Sequence, residues 1–512
     1  MSQNRDMGHP RFVARLEKSG CPGLRLRAAE SHVSKSRHGA PEIRCGAGER
    51  DDTKGRIKSG GNVKPNMARI YPFRALRYNL AQVSAQDVVT QPYDKITPAM
   101  QQAYHQRSPY NLVRIILRMP ELFDKEGDLY ANAARDFAEW RQAGILAQER
   151  QPCVFAYAQR FAVPGQAEVV RERRGFIALG ELYDYSQGVV FRHEQTLSKP
   201  KSDRLNLLRA TRAHFGQIFM LYSDPARSAE GVLFDNGVAG ETLPDIEVTD
   251  EYGVLHRVWK VTDPAKINLL TTGLEDKKLI IADGHHRYET ALNYRKEHGP
   301  GKAAEGCEPF AAGLPQPAYP EAAAMMTFIN MDSEGLVILP THRVVFGLTG
   351  FEAARMLEAV RPYFEIEELA ERDPVAATAR LASVDGKTAF VAATAKGWFV
   401  LTAKPEAVAE ALKAVPARQR QLDIVQLHSL VLEKLLGISA EAIRDQTHLR
   451  YLRDAAEATD QVARGEANVA FLMNPVTMEQ LREVAFAGEV MPQKSTDFYP
   501  KLLSGLAIYA LD

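Results

Sequence analysis

From Ile70 onward, short apolar runs of strand character alternate with stretches of helical period, the pattern of a mixed chain rather than a bundle or a β-sandwich. Strands are predicted within Ile70–Tyr78 and over Leu112–Leu117, Cys153–Phe161, Arg171–Leu179 and Gln217–Tyr222. Further strands are predicted over Leu279–Ala282, Met325–Met331, Leu336–Leu339, Thr388–Ala392, Trp398–Leu401 and Val469–Met473. Residues Gly231–Val261 read as strands and turns. Helices are predicted over Pro98–Gln106 behind a Thr97 cap, over Tyr130–Ala143, and from Ser198 or Ser202 to about His214. Pro264–Thr272, Asp423–Leu435 and Thr477–Ala487 complete the helical set, the second with Ile424, Leu427, Val431 and Leu435 on one face. The fold class expected is α/β to α+β.

One stretch stands out, Leu279-Ile-Ile-Ala-Asp-Gly-His-His-Arg-Tyr-Glu-Thr-Ala-Leu292, which reads as strand, tight turn and helix. Gly284 supplies a backbone angle closed to other residues. The turn delivers His285, His286 and Arg287 to the first turn of a helix, where unpaired N–H groups and the helix dipole favour an anion. Arg287 adds a planar fork matched to phosphate oxygens. Two other readings stay open: Asp283 caps the helix, or His285, His286 and Glu289 contribute to a metal site.

Two further polar stretches qualify as site walls. The first holds His193, Glu194 and then Lys201, Arg204, Leu208 and Arg212 at helical spacing, either a solvated basic face or a phosphate-facing wall. The second, Met491-Pro-Gln-Lys-Ser-Thr-Asp-Phe-Tyr-Pro-Lys501, brings Lys494, Ser495, Thr496 and Lys501 as phosphate-holding donor types and two aromatic rings. Pro340-Thr-His-Arg343 places another His and Arg at a strand end.

Residues 1–66 are rich in Arg, Lys, Gly and Ser with no periodicity, and are expected to be a disordered basic tail or an over-extended start, with Met67 as the natural beginning. The expected organisation is an N-terminal αβ segment over 67–150, a core over 151–345 carrying the Asp-Gly-His-His-Arg motif, and a C-terminal αβ segment over 346–512 that returns to the site through Lys494. Among the 512 residues, 64 Lys and Arg balance 64 Asp and Glu, which argues against a chain built mainly to coat nucleic acid. Four scattered cysteines give no disulfide framework and fit a cytoplasmic setting, and no apolar run spans a bilayer.

Ala282-Asp-Gly-His-His-Arg-Tyr-Glu-Thr-Ala291 resembles the signature of the domain of unknown function 1015 family. The resemblance extends to Tyr71-Pro-Phe-Arg-Ala-Leu-Arg77, Pro92-Tyr-Asp94, Ser108-Pro-Tyr-Asn111, His193-Glu194, Pro340-Thr-His-Arg343 and Pro492-Gln-Lys-Ser-Thr496, and covers about Met67 to Asp512. The strand–turn–helix unit is also similar to the core motif of the ParB and sulfiredoxin-like superfamily. Its members include partition proteins that use CTP, sulfiredoxins that use ATP and a free-serine kinase that uses ADP. The resemblance implies a ParB/sulfiredoxin-like core, phosphate contacts for Gly284, His285, His286 and Arg287, and Asp283 either holding Mg²⁺ or acting on an acceptor hydroxyl.

Taken together, these readings make Asp283, His285, His286 and Glu194 the candidate catalytic residues. The candidate phosphate or nucleotide contacts are Gly284, Arg287, His193, Lys201, Arg204, Arg343, Lys494, Ser495 and Thr496. ADP, ATP or CTP is the expected nucleotide, and serine or phosphoserine the expected small partner. No cysteine flanks the motif, so sulfinic acid repair is not expected. No clear helix-turn-helix follows it, which leaves nucleotide-dependent DNA binding as the alternative to phosphoryl transfer.

Overall fold

A computed structural model describes residues 67–120, 128–194, 198–235, 237–299, 313–384 and 386–512, without the side chains of 198–201. The expectation for residues 1–66 and the placement of the Lys201 side chain lie outside this description. The fold is mixed α/β, built on two sheets.

The larger sheet has nine strands. Its spine is the hairpin of Val154–Val163 and Gln166–Glu181, joined at the expected Pro164-Gly165 turn, where Gly165 has φ +80°. Leu255–Val261 and then Ile246–Thr249 extend it on one side. Ala323–Asn330, Ile218–Tyr222, Leu279–Asp283 and Val190–Phe191 extend it on the other. Alternate residues of these strands feed two apolar clusters, one on each face, so the sheet is buried on both sides. This explains why Leu279–Ala282 and Ala323–Met326 read as continuous apolar runs rather than alternating ones.

The smaller sheet runs in the order Phe364–Glu368, Trp398–Ala403, Ala389–Thr394, Val469–Met473, His342–Val345, Leu449–Leu452. The chain then returns to the larger sheet. Met491 bridges to Glu194, Asp497–Tyr499 pairs with Val337–Leu339, and Leu502, Leu503, Leu506 and Leu511 enter the first core.

Three expectations are corrected. The run Leu112–Leu117 is not a strand; Val113–Ile116 is helical. Asn111 Oδ1 accepts the Val113 N–H at 3.0 Å and turns the chain, and the apolar side chains pack on Phe137 and Trp140 instead of a sheet edge. Residues Gly231–Asp235 and Val238–Glu241 are helical turns, and only Ile246–Thr249 and Leu255–Val261 form strands in that region. The helix predicted from Ser198 to about His214 ends at Thr211, because Ala213–His214 pairs with Tyr509–Ala510.

The Asp423–Leu435 helix forms, but from Gln426 it has π spacing. Thr477 caps Met478–Phe486 through a full capping box with Gln480. Cys153 is buried and free, and among the described residues no helix is long and apolar enough to cross a membrane.

Candidate functional site

The strand Leu279–Asp283 delivers its last residue to the floor of a cleft of about 640 Å³. Gly284 then turns with φ +90°, and the helix His285–His298 begins without any side-chain cap. Asp283 therefore does not cap the helix. Its carboxylate turns to Arg287, one helical turn on, with Oδ2 at 2.7 Å from Nη2. A Cβ on Gly284 would lie 3.0 Å from the Arg287 guanidinium, so glycine here serves both the backbone angle and the fork. The other face of Arg287 donates to the carbonyl of Gln217, which fixes its direction.

Lys501, from the returning C-terminal segment, reaches the second Asp283 oxygen at 3.3 Å. Its ammonium also lies 3.1 Å from Asp497, and Asp497 is gripped by Arg453 at 2.6 Å and neighboured by Lys95 at 4.0 Å. Alternating charges thus run Arg287–Asp283–Lys501–Asp497–Arg453 across segments far apart in sequence. Burial alone would push the Asp283 carboxyl up, but Lys501, Arg287 and Lys95 overcome it and hold it well below the ordinary carboxylate range. Asp283 is therefore a fixed anion and a poor proton acceptor at neutral pH.

Glu194 is the opposite case. Burial pushes its carboxyl up, and nearby Lys494 offsets only part of this. Its Oε1 accepts the Lys494 backbone N–H at 2.6 Å, which ties the strap 491–497 to the cleft wall. Lys494 itself has φ +57°, and its amino group has no ion-pair partner among the described residues.

His193 is buried, with Nδ1 2.8 Å from the Ile281 carbonyl and Nε2 2.8 Å from Thr496 Oγ1. The carbonyl demands an Nδ1–H, so Nε2 receives the threonine proton and the ring is neutral. Burial lowers its pKa to about 4. The His285 ring packs 4.8 Å away; burial, and next the neighbouring His193, hold it well below the usual histidine range. Its Nε2 is buried without a hydrogen-bond partner among the described residues.

Buried neutral histidines have a consequence for acid stability. His342, whose Nδ1 accepts the Met473 N–H at 3.1 Å, is likewise lowered by burial to about 4. Between pH 6.5 and 4 the unfolded chain binds protons that these native rings refuse. Stability is therefore greatest above pH 6.5 and falls as the pH drops toward 4, by about 3 kcal/mol each for His193 and His342. Urea unfolding at pH 7.5 and 4.5 measures this. His342→Asn keeps an acceptor for Met473 and is expected to lose less stability on acidification than the wild type; equal losses would remove His342 from this account.

The structure brings Asp283, Gly284, His285, His286, Arg287, Glu194, Lys494 and Thr496 to the cleft, with His193 directly behind it. Three predicted contacts are not brought there. Arg204 packs over the Tyr93 ring and donates to the Ile116 carbonyl at 2.7 Å, facing a smaller neighbouring pocket. Arg343 lies behind the strap, donating to the Lys494 carbonyl at 2.8 Å, and Ser495 turns away to Pro492. Arg204 on the helix is thus structural, and Arg212, one residue past the helix end with φ +48°, binds the Leu511 carbonyl at 2.8 Å.

The metal reading fails on donors. Both Asp283 oxygens are committed to cations, and Glu289 is held by Tyr185 and Arg192. Among the described residues no three His, Cys, Asp or Glu side chains are grouped to hold a metal ion. Asp283 as arranged does not fit a Mg²⁺ ligand.

Lys95, Arg453 and Asp497 were not singled out from the sequence. Lys95 and Arg453 each adjoin an acidic residue and match no motif, Asp497 lies within the 491–501 stretch without a donor's signature, and only that stretch and Pro92-Tyr-Asp94 carried a signal.

The family model described as a protein of unknown function (DUF1015) matches residues 70–425. The chain belongs to the DUF1015 family. The match holds the motif and Glu194, whereas Lys494, Asp497 and Lys501 lie beyond its end. No curated protein matches this DUF1015 chain.

Among solved structures, a free serine kinase mutant in complex with ADP is similar at 14% identity and TM-score 0.31, covering 62% of this chain and 89% of that one. A conserved hypothetical protein from Pyrococcus furiosus is similar at 14% identity and TM-score 0.29, with 60% and 87% covered. C-terminally truncated SbnI from Staphylococcus aureus is similar at 11% identity and TM-score 0.29, with 62% and 82% covered. Overlap this loose carries no conclusion about ligand or reaction.

Proposed function

We propose that the cleft binds the phosphates of a nucleotide and that the protein transfers a phosphoryl group between that nucleotide and a small hydroxylated metabolite. The observation that carries this reading is the convergence of Arg287, Lys501, Lys95, Arg453 and Lys494 on an uncapped helix N-terminus. Such a place supplies N–H donors, dipole and cations together, which is what a phosphoryl group in transfer requires. Tyr93, Tyr252 and Tyr451 line the same cleft; Arg204 and Arg343 lie over the first and last rings, and the exposed Tyr252 ring is the one open to a base. A bare phosphate site has no use for such a ring.

In the proposed step the acceptor hydroxyl gives its proton to Glu194 as its oxygen forms the new P–O bond. The P–O bond to the nucleotide breaks, and the bond's electrons leave with the nucleotide oxygen. Asp283 takes no proton; it holds Arg287 and Lys501 at the phosphoryl oxygens. His285, neutral and buried, keeps the turn rigid beside His193. Serine as acceptor, with phosphoserine for the reverse direction, is the pair to test first.

The test is a thermal-shift series with ADP, ATP, CTP and phosphoserine on the wild type and Lys494→Ala, followed by ³¹P NMR of nucleotide with serine. A nucleotide at 100 times its Kd is expected to stabilise the wild type by about 2.7 kcal/mol. Lys494→Ala is expected to weaken that binding roughly tenfold, since one unpaired cation is lost. A protein that melts cooperatively and shifts with none of these compounds would return Asp283–Arg287 to a structural turn.

A further inference from the structure

A second cavity, of about 730 Å³, lies on the other side of the strap. It shares a wall with the cleft. Thr341 lines both, and along the strap Lys494 and Thr496 line the cleft while Ser495 lines the cavity. The proposed phosphoryl transfer uses none of the cavity's other residues.

Two polar side chains in the cavity wall are almost wholly buried and keep an atom unsatisfied. Among the described residues, Arg343, 2% exposed, has no acceptor for Nε, and Gln426, 5% exposed, has no donor for Oε1. The rest of Gln426 is already spent, since Nε2 donates to Thr388 Oγ1 at 3.1 Å and to the Arg420 carbonyl at 2.8 Å. Buried polar atoms left unpaired are costly, and a polar ligand would supply the missing partners.

Asp423 stands on the same wall. Burial pushes its carboxyl up to about 7, and no cation pairs with it among the described residues. Lys387 and Arg420 line the cavity too, also without carboxylate partners among the described residues. The wall therefore presents acceptors for an amine beside cations for an anion. No aromatic ring is among the described lining residues, so a nucleobase has nothing to stack on.

We infer that this cavity is a binding site for a small aminocarboxylate, a free amino acid, whose ammonium is received by Asp423 and Gln426 and whose carboxylate is received by the Lys387 and Arg420 side. Asp423 already takes a hydrogen bond from the Thr388 side chain, and an ammonium beside it would supply the cation its carboxyl lacks. The cavity site concerns residues other than those of the cleft; serine, the acceptor proposed there, is itself a free amino acid, so the cavity variants and not the ligand alone tell the two sites apart.

The experiment is a thermal-shift screen and isothermal titration of the full chain with the twenty L-amino acids. Their N-acetyl amides, which lack both charges, serve as controls. At least one free amino acid is expected to raise the melting temperature while its N-acetyl amide does not. Affinity is expected to fall at least tenfold in Asp423→Asn or Lys387→Met and to persist in the cleft variant Lys494→Ala. Lys387 is exposed, so its variant carries the test if Asp423→Asn does not fold. No shift with any amino acid from a cooperatively melting protein would overturn the inference. So would a shift that both cavity variants retain in full.

Discussion

Lys501→Met is expected to destabilise the protein by about 3–5 kcal/mol and to abolish nucleotide binding in the cleft. Lys501 is 9% exposed and stands between two carboxylates, Asp283 at 3.3 Å and Asp497 at 3.1 Å. Methionine fills the stem's volume but leaves two buried carboxylates facing each other without their shared cation. The ammonium is retained because those neighbours, with Asp94, overcome the effect of burial and raise its pKa.

The loss has a pH signature. Asp283 is depressed in the native state, so its contribution to stability is present above the unfolded carboxylate pKa and lost as the pH falls through its native value. The gap between wild type and Lys501→Met in urea unfolding is therefore expected to be widest near neutrality and to narrow below about pH 4. Adding Asp283→Asn to Lys501→Met removes one of the two facing carboxylates and is expected to recover part of the stability. A gap independent of pH, with no recovery in the double variant, would mean that Lys501 acts through packing alone.

The second large effect concerns Glu194. Glu194→Gln is expected to lower turnover by about 10²–10⁴-fold, the usual contribution of a positioned general base, with little change in melting temperature. The amide oxygen of glutamine can still accept the Lys494 N–H, now at 2.6 Å from Oε1, so the strap stays in place. Burial raises the Glu194 carboxyl, so wild-type turnover is expected to climb with pH across its titration. The variant's residual rate should be flat over the same range. Turnover that survives the substitution would move the proton to another acceptor or to solvent.

Much of the chain's local structure follows from rules that act within a few residues. The Asp283–Arg287 stretch was legible because an apolar run, an Asp-Gly turn and a cluster of polar side chains coincide there, and the turn forms with Gly284 at φ +90°. Thr97 and Thr477 cap the helices expected of them, and Pro164-Gly165 closes the expected hairpin. The Val113–Ile116 helix escaped because four apolar residues satisfy a strand pattern as well as a helical one. Asn111 and the packing against Trp140 decide between them.

The site divides in the same way. The sequence determined the strand, turn and helix start at Asp283–Arg287, and it singled out Glu194 and the 491–501 stretch, which the fold brings to the same cleft. It also placed Arg204 on a basic helix face, which was true of the helix and false for the cleft. A helical period reports which side chains share a face, not what that face meets; there Tyr93 and the Ile116 carbonyl take the guanidinium.

Only the tertiary structure decided that Lys501, 218 residues from Asp283, is its partner, and that Asp497, Arg453 and Lys95 continue the chain of charges. The Coulomb term between two side chains depends on their separation in space and on the water excluded between them. Both are set by how the returning strap packs against the larger sheet, and no local pattern of residues encodes either one.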